Sequence, residues 1–521
     1  MRCVKEFSMR TFSLKSLGHL TVLMIATQVG CGTSDPNPSG GSAGAVGTGT
    51  AGRPATGSAG SVGTSTGGST STAGSGGAGP TGTAGSSTGG STPTAGSSPG
   101  GSTSTGGSGG SIPGGTAGAG GGSPGGSPGT INWGREENPS AKCPATGALP
   151  EYAALMANGK LPDPFLKLDG TRIKDKSEWA CRRAEIVRQL AKYIYGDKPI
   201  PAKGSVTGTV TTTKISVKVA EDGKAASFDV TVNMNGATTM PAPAIISYGA
   251  GASAPTGVAK ITFTAIESTG GSGAKTGPFY TFYGSNHPAG YMVAQAWQVS
   301  RIIDLLEQNP TIIDPYRVGV TGCSRNGKGA FAGGVFDNRI ALTIPCESGI
   351  GGTPALRLKE QLDPGANSSA EWPYHAISYV RWLSEVALGP FATANDAAGD
   401  NTDKLPVDMH EAMALIAPRA LYIVDNPGIT NLDPKSAYVT AMAGKAIFTA
   451  LGVPDNFAYQ GASGDHCVWR AKYDASLKAM IDKFLLGKDT TKTGTFDTDL
   501  GSKPTPATYY SWDTTELPGK L

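Results

Sequence analysis

The sequence predicts an α/β fold, a three-layer sandwich with a mostly parallel central sheet. Residues 317–321 have the β-branched alternation of a buried strand, and the small residues 329–334 soon after them can begin a helix packed closely on the sheet. Residues 244–248 predict a central strand, and residues 207–219 and 225–234 alternate as a hairpin would at the start of such a sheet. Near the end of the chain, apolar residues at helical spacing form one face that we expect to dock on the sheet: Leu477, Met480, Ile481, Phe484 and Leu485.

The turn between that strand and that helix, G-C-S-R-N-G-K-G at residues 322–329, is a candidate site for a nucleophile. A serine on so tight a strand-to-helix turn projects its hydroxyl above the sheet, with backbone N–H groups of the helix start nearby to hold an oxyanion. The motif departs from G-x-S-x-G, because Asn326 stands where the second glycine is expected and Gly327 follows it. An ordinary glycine-rich turn has the same composition, so the prediction for Ser324 depends on its partners.

Two candidate partners follow Ser324 in the chain. Glu347 comes directly after the apolar run 340–345, so it would lie at the same sheet edge as the serine, and His466 follows the strand-like residues 457–459. The order serine, acid, histidine is that of α/β hydrolases, in which the imidazole takes the serine proton and the carboxylate fixes its tautomer. The sequence therefore predicts an α/β-hydrolase fold and acyl-transfer chemistry. Four further histidines do not follow the last predicted strand and are the weaker candidates for the base: His19, His287, His375 and His410.

The cysteines predict two disulfides. Cys323 immediately precedes Ser324 and Cys467 immediately follows His466, so contact between serine and histidine would make the two sulfurs neighbours. A disulfide there would hold nucleophile and base in register. Cys143 and Cys181 form the second predicted pair, between the start of the folded domain and a predicted helix. Cys3 and Cys31 lie in the export region, which leaves Cys346 as an unpaired, small buried residue.

Several short segments together form a specific pattern, and on them the chain resembles the glucuronoyl esterases of carbohydrate esterase family 15 over residues 143–488. The resemblance implies an α/β-hydrolase fold and a metal-independent serine esterase that uses no cofactor. It also implies the substrate, an ester between 4-O-methyl-D-glucuronic acid of glucuronoxylan and a lignin alcohol. The segments are L-P-D-P-F (161–165), W-A-C-R-R (179–183), Y-G-S-N-H (283–287), V-S-R-I-I-D (299–304), G-C-S-R-N-G-K (322–328), E-S-G with G-G (347–352) and A-L-I-A-P-R (414–419).

The resemblance also implies roles for individual residues. Ser324 resembles the nucleophile, His466 the base and Glu347 the acid of the family. Arg325 matches an arginine that assists the oxyanion, with charge placed where the tetrahedral intermediate develops it. Lys328 and Glu385 match residues that bind sugar hydroxyls, against the alternative that each is an exposed charge. Fungal members have a sugar-contacting tryptophan where this chain has Asn431, and the glutamine of the fungal pattern has no match.

Two other carboxylates compete with Glu347 for the role of the acid. Most α/β hydrolases place the acid after the next strand, and here residues 420–424 predict that strand and end at Asp425. Asp408 is a further alternative, because residues 405–408 match a family segment near the site. Glu347 is preferred because it carries the more specific motif.

The first third of the chain predicts export. Basic residues precede a short apolar run at 20–26, as in a signal peptide over residues 1–30. Cys31 follows a small residue as in bacterial lipoproteins, so we expect lipid attachment there, with plain secretion as the alternative. The predicted location is extracellular or at the cell surface, including the outer membrane, where disulfides persist. Residues 31–134 consist mostly of Gly, Ser, Thr, Ala and Pro, with very few charges, and predict a flexible linker, whose ends would lie about 55 Å apart.

Residues 135–521 remain for one α/β-hydrolase esterase domain, which we expect to be monomeric. The formal net charge of +3 does not suggest nucleic-acid binding, and no dinucleotide fingerprint, P-loop or His/Cys metal spacing is present. Besides glucuronoyl esterase, two functions stay open: a carboxylesterase or acetyl xylan esterase on the same fold, and a carbohydrate-binding or surface protein without turnover. An intact Ser324, Glu347 and His466 argue against the last, and Arg325 with Lys328 favours an acidic-sugar ester.

Overall fold

The computed structural model describes residues 136–138, 143, 147–262, 274–362, 371–378, 380–392, 400–488 and 492–521. The predicted signal peptide, Cys31 and the linker lie outside the described residues, and their roles stay predictions. The strands are β1 (Val206–Val210), β2 (Lys214–Glu221), β3 (Lys224–Asn233), β4 (Ala242–Ser247), β5 (Ala259–Thr262), β6 (Ile313–Cys323), β7 (Leu342–Cys346), β8 (Ala420–Asp425), β9 (Phe457–Gly461) and β10 (Phe496–Thr498).

Helices connect most of these strands. In chain order the α-helices are α1 (Trp179–Leu190), α2 (Pro278–Tyr283), α3 (Tyr291–Gln308), α4 (Arg325–Phe336), α5 (Lys359–Leu362), α6 (Pro373–Ser378), α7 (Glu385–Leu388), α8 (Met409–Ala414), α9 (Pro434–Ala450) and α10 (Asp474–Phe484). A π-helical turn, Ala191–Tyr195, continues α1.

The ten strands form one sheet in the order β1-β2-β3-β5-β4-β6-β7-β8-β9-β10. The first three strands pair antiparallel and β3 pairs antiparallel with β5, whereas the pairs from β5 to β10 are parallel. Cys323 at the end of β6 is in register with Cys346 at the end of β7. The next residues, Ser324 and Glu347, therefore leave the sheet at the same edge, as predicted from the sequence.

The sheet is covered on both faces, which makes three layers. Alternate strand residues face opposite sides: Ile246, Val320 and Ile423 pack in the larger core, and Ile245, Ile344 and Tyr422 in the smaller one. The larger core includes the buried faces of α1, α3, α4 and α9. The smaller core includes α10, whose residues Leu477, Met480 and Ile481 are buried there, so the predicted apolar face docks on the sheet.

The predicted hairpin at the start of the sheet is a three-stranded meander. Residues 207–219 do not form one strand, because the chain turns between β1 and β2 at Thr211, whose backbone N–H donates to Lys214 O over 2.9 Å and whose hydroxyl donates to the same oxygen over 2.8 Å. The alternation that predicted one strand continues through this turn, so the pattern alone did not reveal it. Among the described residues, no helix combines the length and the apolar character needed to cross a membrane.

Candidate active site

The serine turn places a side chain at the sheet edge through an unusual backbone conformation. Ser324 has φ 60° and ψ −129° and directly precedes α4, and a non-glycine residue with positive φ costs roughly 1 to 3 kcal/mol. The turn is tight enough that a Cβ at Gly322 would collide with the Asn326 backbone, and one at Gly327 with Cys346 O. The glycine required against β7 is thus Gly327, one position later than in G-x-S-x-G.

Asn326 stands where G-x-S-x-G has its second glycine, and its side chain has a structural role. Its side-chain Nδ2 donates to Tyr248 O over 2.7 Å, at the end of β4. This contact ties the start of α4 to the loop after β4. Arg325, the first residue of α4, is exposed and stands directly beside the half-buried Ser324.

His466 and Glu347 are in direct hydrogen-bond contact. His466 Nδ1 lies 2.7 Å from Glu347 Oε2, and the backbone N–H of Cys467 donates to the same oxygen over 2.9 Å. The Glu347 side chain is 3% exposed whereas the imidazole is 42% exposed, so a buried carboxylate orients a base that remains open to solvent. A carboxylate on Nδ1 leaves Nε2 as the nitrogen available for proton transfer.

The disulfide Cys323–Cys467 joins the residue before the serine to the residue after the histidine. Their Cα atoms are 5.7 Å apart, and one 3.8 Å peptide step on each side places the Cα atoms of Ser324 and His466 within about 13 Å of each other. The second predicted disulfide, Cys143–Cys181, is also present. Cys346 is free and buried, and burial raises the pKa of its thiol to about 12, so it stays protonated.

Asp425, the first alternative acid, lies at the end of β8 but makes other contacts. It accepts hydrogen bonds from Tyr459 Oη over 3.0 Å and from the Asn426 backbone over 2.9 Å. Burial raises the pKa of its carboxyl to about 6, and the neighbouring charge of Glu347 acts in the same direction. The carboxylate that contacts His466 is therefore that of Glu347.

Asp408, the second alternative, supports the fold around the loop that follows Glu347. It caps α8, accepts from the Leu356 backbone over 2.8 Å and forms a fully buried ion pair with Arg357 at 2.7 Å. Because both of its oxygens are used in this way, it holds residues 356–357 in place and does not contact the imidazole.

Lys328, on α4, is completely buried. The alternative that Lys328 is an exposed surface charge is therefore wrong. Its ammonium donates to Ser348 O, pairs with Glu371 Oε2 at 2.8 Å and lies 4.2 Å from the ring centre of Trp382. Burial lowers the pKa of Lys328, and Glu371 opposes that effect. The Glu371 backbone N–H donates to Asn431 O over 3.1 Å, so the segment that replaces the fungal tryptophan is adjacent.

Glu371 is the residue that the sequence reasoning missed. Nothing in its local pattern distinguishes it, since it meets Lys328 from a segment 43 positions away. Glu385, the residue predicted for that part of the site, begins α7 with a side chain 58% exposed and lies 3.5 Å from Arg381. Its role in sugar binding stays a prediction.

Two of the other histidines are held in contacts outside this site. His410 is fully buried with Nε2 2.8 Å from Pro162 O, and burial lowers its pKa to about 4. His287 accepts from the Ala289 backbone over 3.2 Å through Nδ1, and burial lowers its pKa.

The donor atoms of Cys323, Glu347, His466 and Cys467 lie within 4.8 Å of one another, as metal ligands would. The two sulfurs, however, are bonded to each other and are not thiolates, and metal ligation by cysteine requires the thiolate. Glu347 and His466 alone are too few for a closed metal site. The cluster fits a histidine hydrogen-bonded to its acid, beside a disulfide that joins the neighbours of Ser324 and His466.

Known proteins match this chain both as a family model and as individual sequences. A family model described as "Glucuronyl esterase, fungi" matches residues 217–452. The 4-O-methyl-glucuronoyl methylesterase of Hypocrea jecorina is 38% identical over 382 residues, which cover 71% of this chain and 79% of that protein.

Solved structures give the same relationship. The chain is similar to a glucuronoyl esterase catalytic domain from Hypocrea jecorina, with a TM-score of 0.65 and 35% identity over 71% of this chain and 100% of that one. It is also similar to a glucuronoyl esterase mutant from Sporotrichum thermophile solved in complex with methyl 4-O-methyl-β-D-glucopyranuronate, with a TM-score of 0.63 and 35% identity over 68% of this chain and 94% of that one. The chain belongs to the glucuronoyl esterases, a family of carboxylic ester hydrolases.

Proposed function

We propose that this protein hydrolyses esters of 4-O-methyl-D-glucuronic acid in glucuronoxylan, including lignin–carbohydrate ester cross-links, through an acyl-enzyme on Ser324. The observation that carries the proposal is the 2.7 Å contact between His466 and Glu347, and the Cys323–Cys467 disulfide, which joins the neighbours of Ser324 and His466, supports it. The complex of the Sporotrichum thermophile relative supports the substrate class, because the molecule bound to it is a methyl ester of that sugar acid.

In the proposed reaction, Ser324 Oγ attacks the ester carbonyl while His466 Nε2 takes the hydroxyl proton. Glu347 stabilises the imidazolium that forms. The oxyanion of the tetrahedral intermediate is held by Arg325 and by backbone N–H groups at the start of α4. The C–O bond to the alcohol then breaks, and His466 returns its proton to the leaving alcohol. A water molecule attacks the acyl-enzyme in the same manner and releases the free acid and the serine.

Recognition of the sugar would come from Lys328 and the groups around it. An ammonium has three N–H donors, and within the described part of the chain its acceptors are Ser348 O and Glu371. The Lys328 side chain is 0% exposed, however, whereas that of Glu371 is 17% exposed, so a ring hydroxyl would reach Glu371, which the ammonium holds in place. Glu371 has a second carboxylate oxygen that can accept from such a hydroxyl. An uncleaved ester has no charge at its carboxyl, so hydroxyl contacts are the available source of specificity before the reaction begins.

The two disulfides support the proposed location outside the cytoplasm, since disulfides persist in oxidising compartments. We extend the proposal to a monomeric, exported enzyme, tethered at the cell surface by residues 31–134 through a lipid on Cys31. Such a tether would let the domain search insoluble cell-wall polymer.

The test is to assay the purified protein and its Ser324→Ala variant on benzyl glucuronate and on 4-nitrophenyl acetate. We expect the wild type to prefer the glucuronate ester and the folded variant to lose at least 99% of that activity, because no acyl-enzyme can form without the Ser324 oxygen. Preference for the acetyl ester would favour a carboxylesterase or acetyl xylan esterase instead. Activity above about one per cent in folded Ser324→Ala would reject Ser324 as the nucleophile.

A further inference from the structure

We propose that Arg470 is a positioning residue for His466 and Glu347. Its guanidinium offsets part of the negative charge of Glu347 and thereby sets the pH at which His466 becomes available as a base. This inference rests on the proposed function, because it concerns the same histidine and acid. Arg470 lies four positions after His466 and has no place in the serine, histidine and acid order by which the site was recognised.

Arg470 contacts both the acid and the loop that carries the base. Its Nη1 donates to Glu347 Oε1 over 3.2 Å, while the other oxygen of Glu347 faces His466. Further guanidinium hydrogen bonds go to three backbone carbonyls of the histidine loop: Ser463 O at 3.2 Å, Asp465 O at 3.0 Å and Val468 O at 3.0 Å. The guanidinium also interacts with the Tyr473 side chain. One side chain thus binds the carboxylate and encloses residues 463–468.

Gly464 provides the space that this arrangement needs. A Cβ at that position would lie 2.7 Å from Arg470 Nη2, in van der Waals conflict with the guanidinium. The Arg470 side chain is 15% exposed and that of Glu347 is 3% exposed, so the charge of the guanidinium acts on Glu347 through a partly water-excluded contact. A guanidinium stays protonated throughout the working range of an esterase and is therefore a constant positive charge.

The expected direction of the electrostatic effect follows from these contacts. A carboxylate beside an imidazole favours the imidazolium, and a guanidinium that compensates part of the carboxylate charge weakens that effect. Without the guanidinium, the imidazole would hold its proton to higher pH. Other titratable groups near this pair are Asp425, Cys346 and Tyr473, on which Glu347 acts electrostatically, together with Asp465 of the histidine loop and Arg325 beside Ser324.

The direct test is an NMR titration of the His466 ring in the Ser324→Ala protein, with and without Arg470→Met. This readout does not need turnover, so it separates the role of Arg470 from the identity of the substrate. We expect the titration midpoint to rise by about 0.5 to 1 pH unit in Arg470→Met. An unchanged or lower midpoint would overturn the inference. If Arg470→Met does not fold, Arg470→Gln takes its place.

The kinetic test is the pH profile of kcat/KM on benzyl glucuronate. The acidic limb of this profile should move to higher pH in Arg470→Met. In Arg470→Lys it should move by less than half as much, because lysine keeps the charge but not the three carbonyl contacts. Measuring the same variants with Asp425→Asn removes the carboxyl whose pKa of about 6 falls in this range. If Arg470→Met lowers kcat but leaves the acidic limb at the same pH, Arg470 has only a structural role and the inference is rejected.

The matched control is Arg172→Met. Arg172 donates to the carboxylate of Asp163 over 2.9 Å and to the backbone carbonyl of Asp513 over 2.5 Å, and it does not contact the site. It should leave both titrations unchanged, and an equal shift there would also count against the inference. A wild type that fails on benzyl glucuronate would reject the proposed function alone, because the NMR titration still decides the role of Arg470.

Discussion

His466 Nδ1 lies 2.7 Å from Oε2 of Glu347, a carboxylate 119 positions earlier in the chain. The acid thus reaches the base from the end of β7, the strand next to the one that carries Ser324. Asp425, at the end of β8, instead accepts a hydrogen bond from the Tyr459 hydroxyl. The arrangement distinguishes two buried carboxylates on neighbouring strands, one bound by the histidine and an arginine and the other by a phenol.

This distinction predicts a ranking of two variants. Glu347→Ala should lower kcat on benzyl glucuronate strongly, by up to about 10⁴, because the imidazole loses the group that fixes its tautomer. Asp425→Asn should lower kcat less than about tenfold, since Asp425 acts on the site only through its charge. Steady-state kinetics of the two purified variants decide the point. The reverse ranking would assign the acid to β8.

Asp425 also predicts a pH dependence of stability. Burial raises the pKa of its carboxyl to about 6 from an ordinary value of 3.8, so the folded protein binds this proton more tightly than the unfolded chain. The associated stability is fully present below pH 3.8 and is lost as the pH rises through about 6. Between pH 4 and pH 7.5, Asp425→Asn should therefore gain roughly 2 to 3 kcal/mol of unfolding free energy relative to the wild type.

Urea unfolding at both pH values measures this difference. The control is Asp169→Asn, which changes an exposed carboxyl whose pKa is lowered, chiefly by a hydrogen bond from Thr171. Its contribution has the opposite sign, because the stability it provides is lost as the pH falls. A relative stability of Asp425→Asn that is constant with pH would contradict the shifted carboxyl.

The sugar site predicts a second ranking. Lys328→Met and Glu371→Gln should each raise KM for benzyl glucuronate by about tenfold, as loss of a hydrogen bond to a charged group costs about 1.5 to 3 kcal/mol. Glu385→Gln should raise KM less than Glu371→Gln, since Glu385 is 58% exposed and lies beside Arg381. Kinetics on 4-nitrophenyl acetate serve as the control and should change little. A larger effect at Glu385 would restore it as the main sugar acceptor.

Arg325 is expected to act on turnover and not on binding. Arg325→Ala should lower kcat by roughly 10² to 10³ on both the glucuronate and the acetyl ester, because the oxyanion is common to both reactions. Arg325→Lys, which keeps the charge, should recover part of that loss. A change in KM alone would place Arg325 in the sugar site.

The two disulfides should differ in their effect on activity. Removal of either disulfide should lower the unfolding free energy by about 2 to 4 kcal/mol. The double variants are Cys323→Ser/Cys467→Ser and Cys143→Ser/Cys181→Ser. Only the first should also lower kcat at a temperature where both proteins are folded, because only that bond joins the neighbours of Ser324 and His466. Equal losses of kcat in both double variants would contradict a positioning role for the Cys323–Cys467 bond.

The parts of the fold that depend on local patterning were predictable from the sequence. The strand before Ser324, the helix after it and the apolar face of α10 follow from side-chain periodicity, which a single segment carries by itself. Glu347 was placed at the right sheet edge because parallel strands end together. The Cys323–Cys467 disulfide was predicted because each cysteine adjoins a residue of the expected site. The turn at Thr211 was not predicted, because alternation of residues continues through it.

The partners of the buried charges were decided by the tertiary structure. Glu371 meets Lys328, Arg470 meets Glu347 and Asp408 meets Arg357 through contacts that have no signature in the local sequence. A buried charge is stable only with a partner, and any carboxylate satisfies that requirement, so composition does not say which one. Chain topology selects the pair. The sequence by itself therefore determined the family, the fold and the order of the site residues, whereas the packing of strands and loops determined which charges act together.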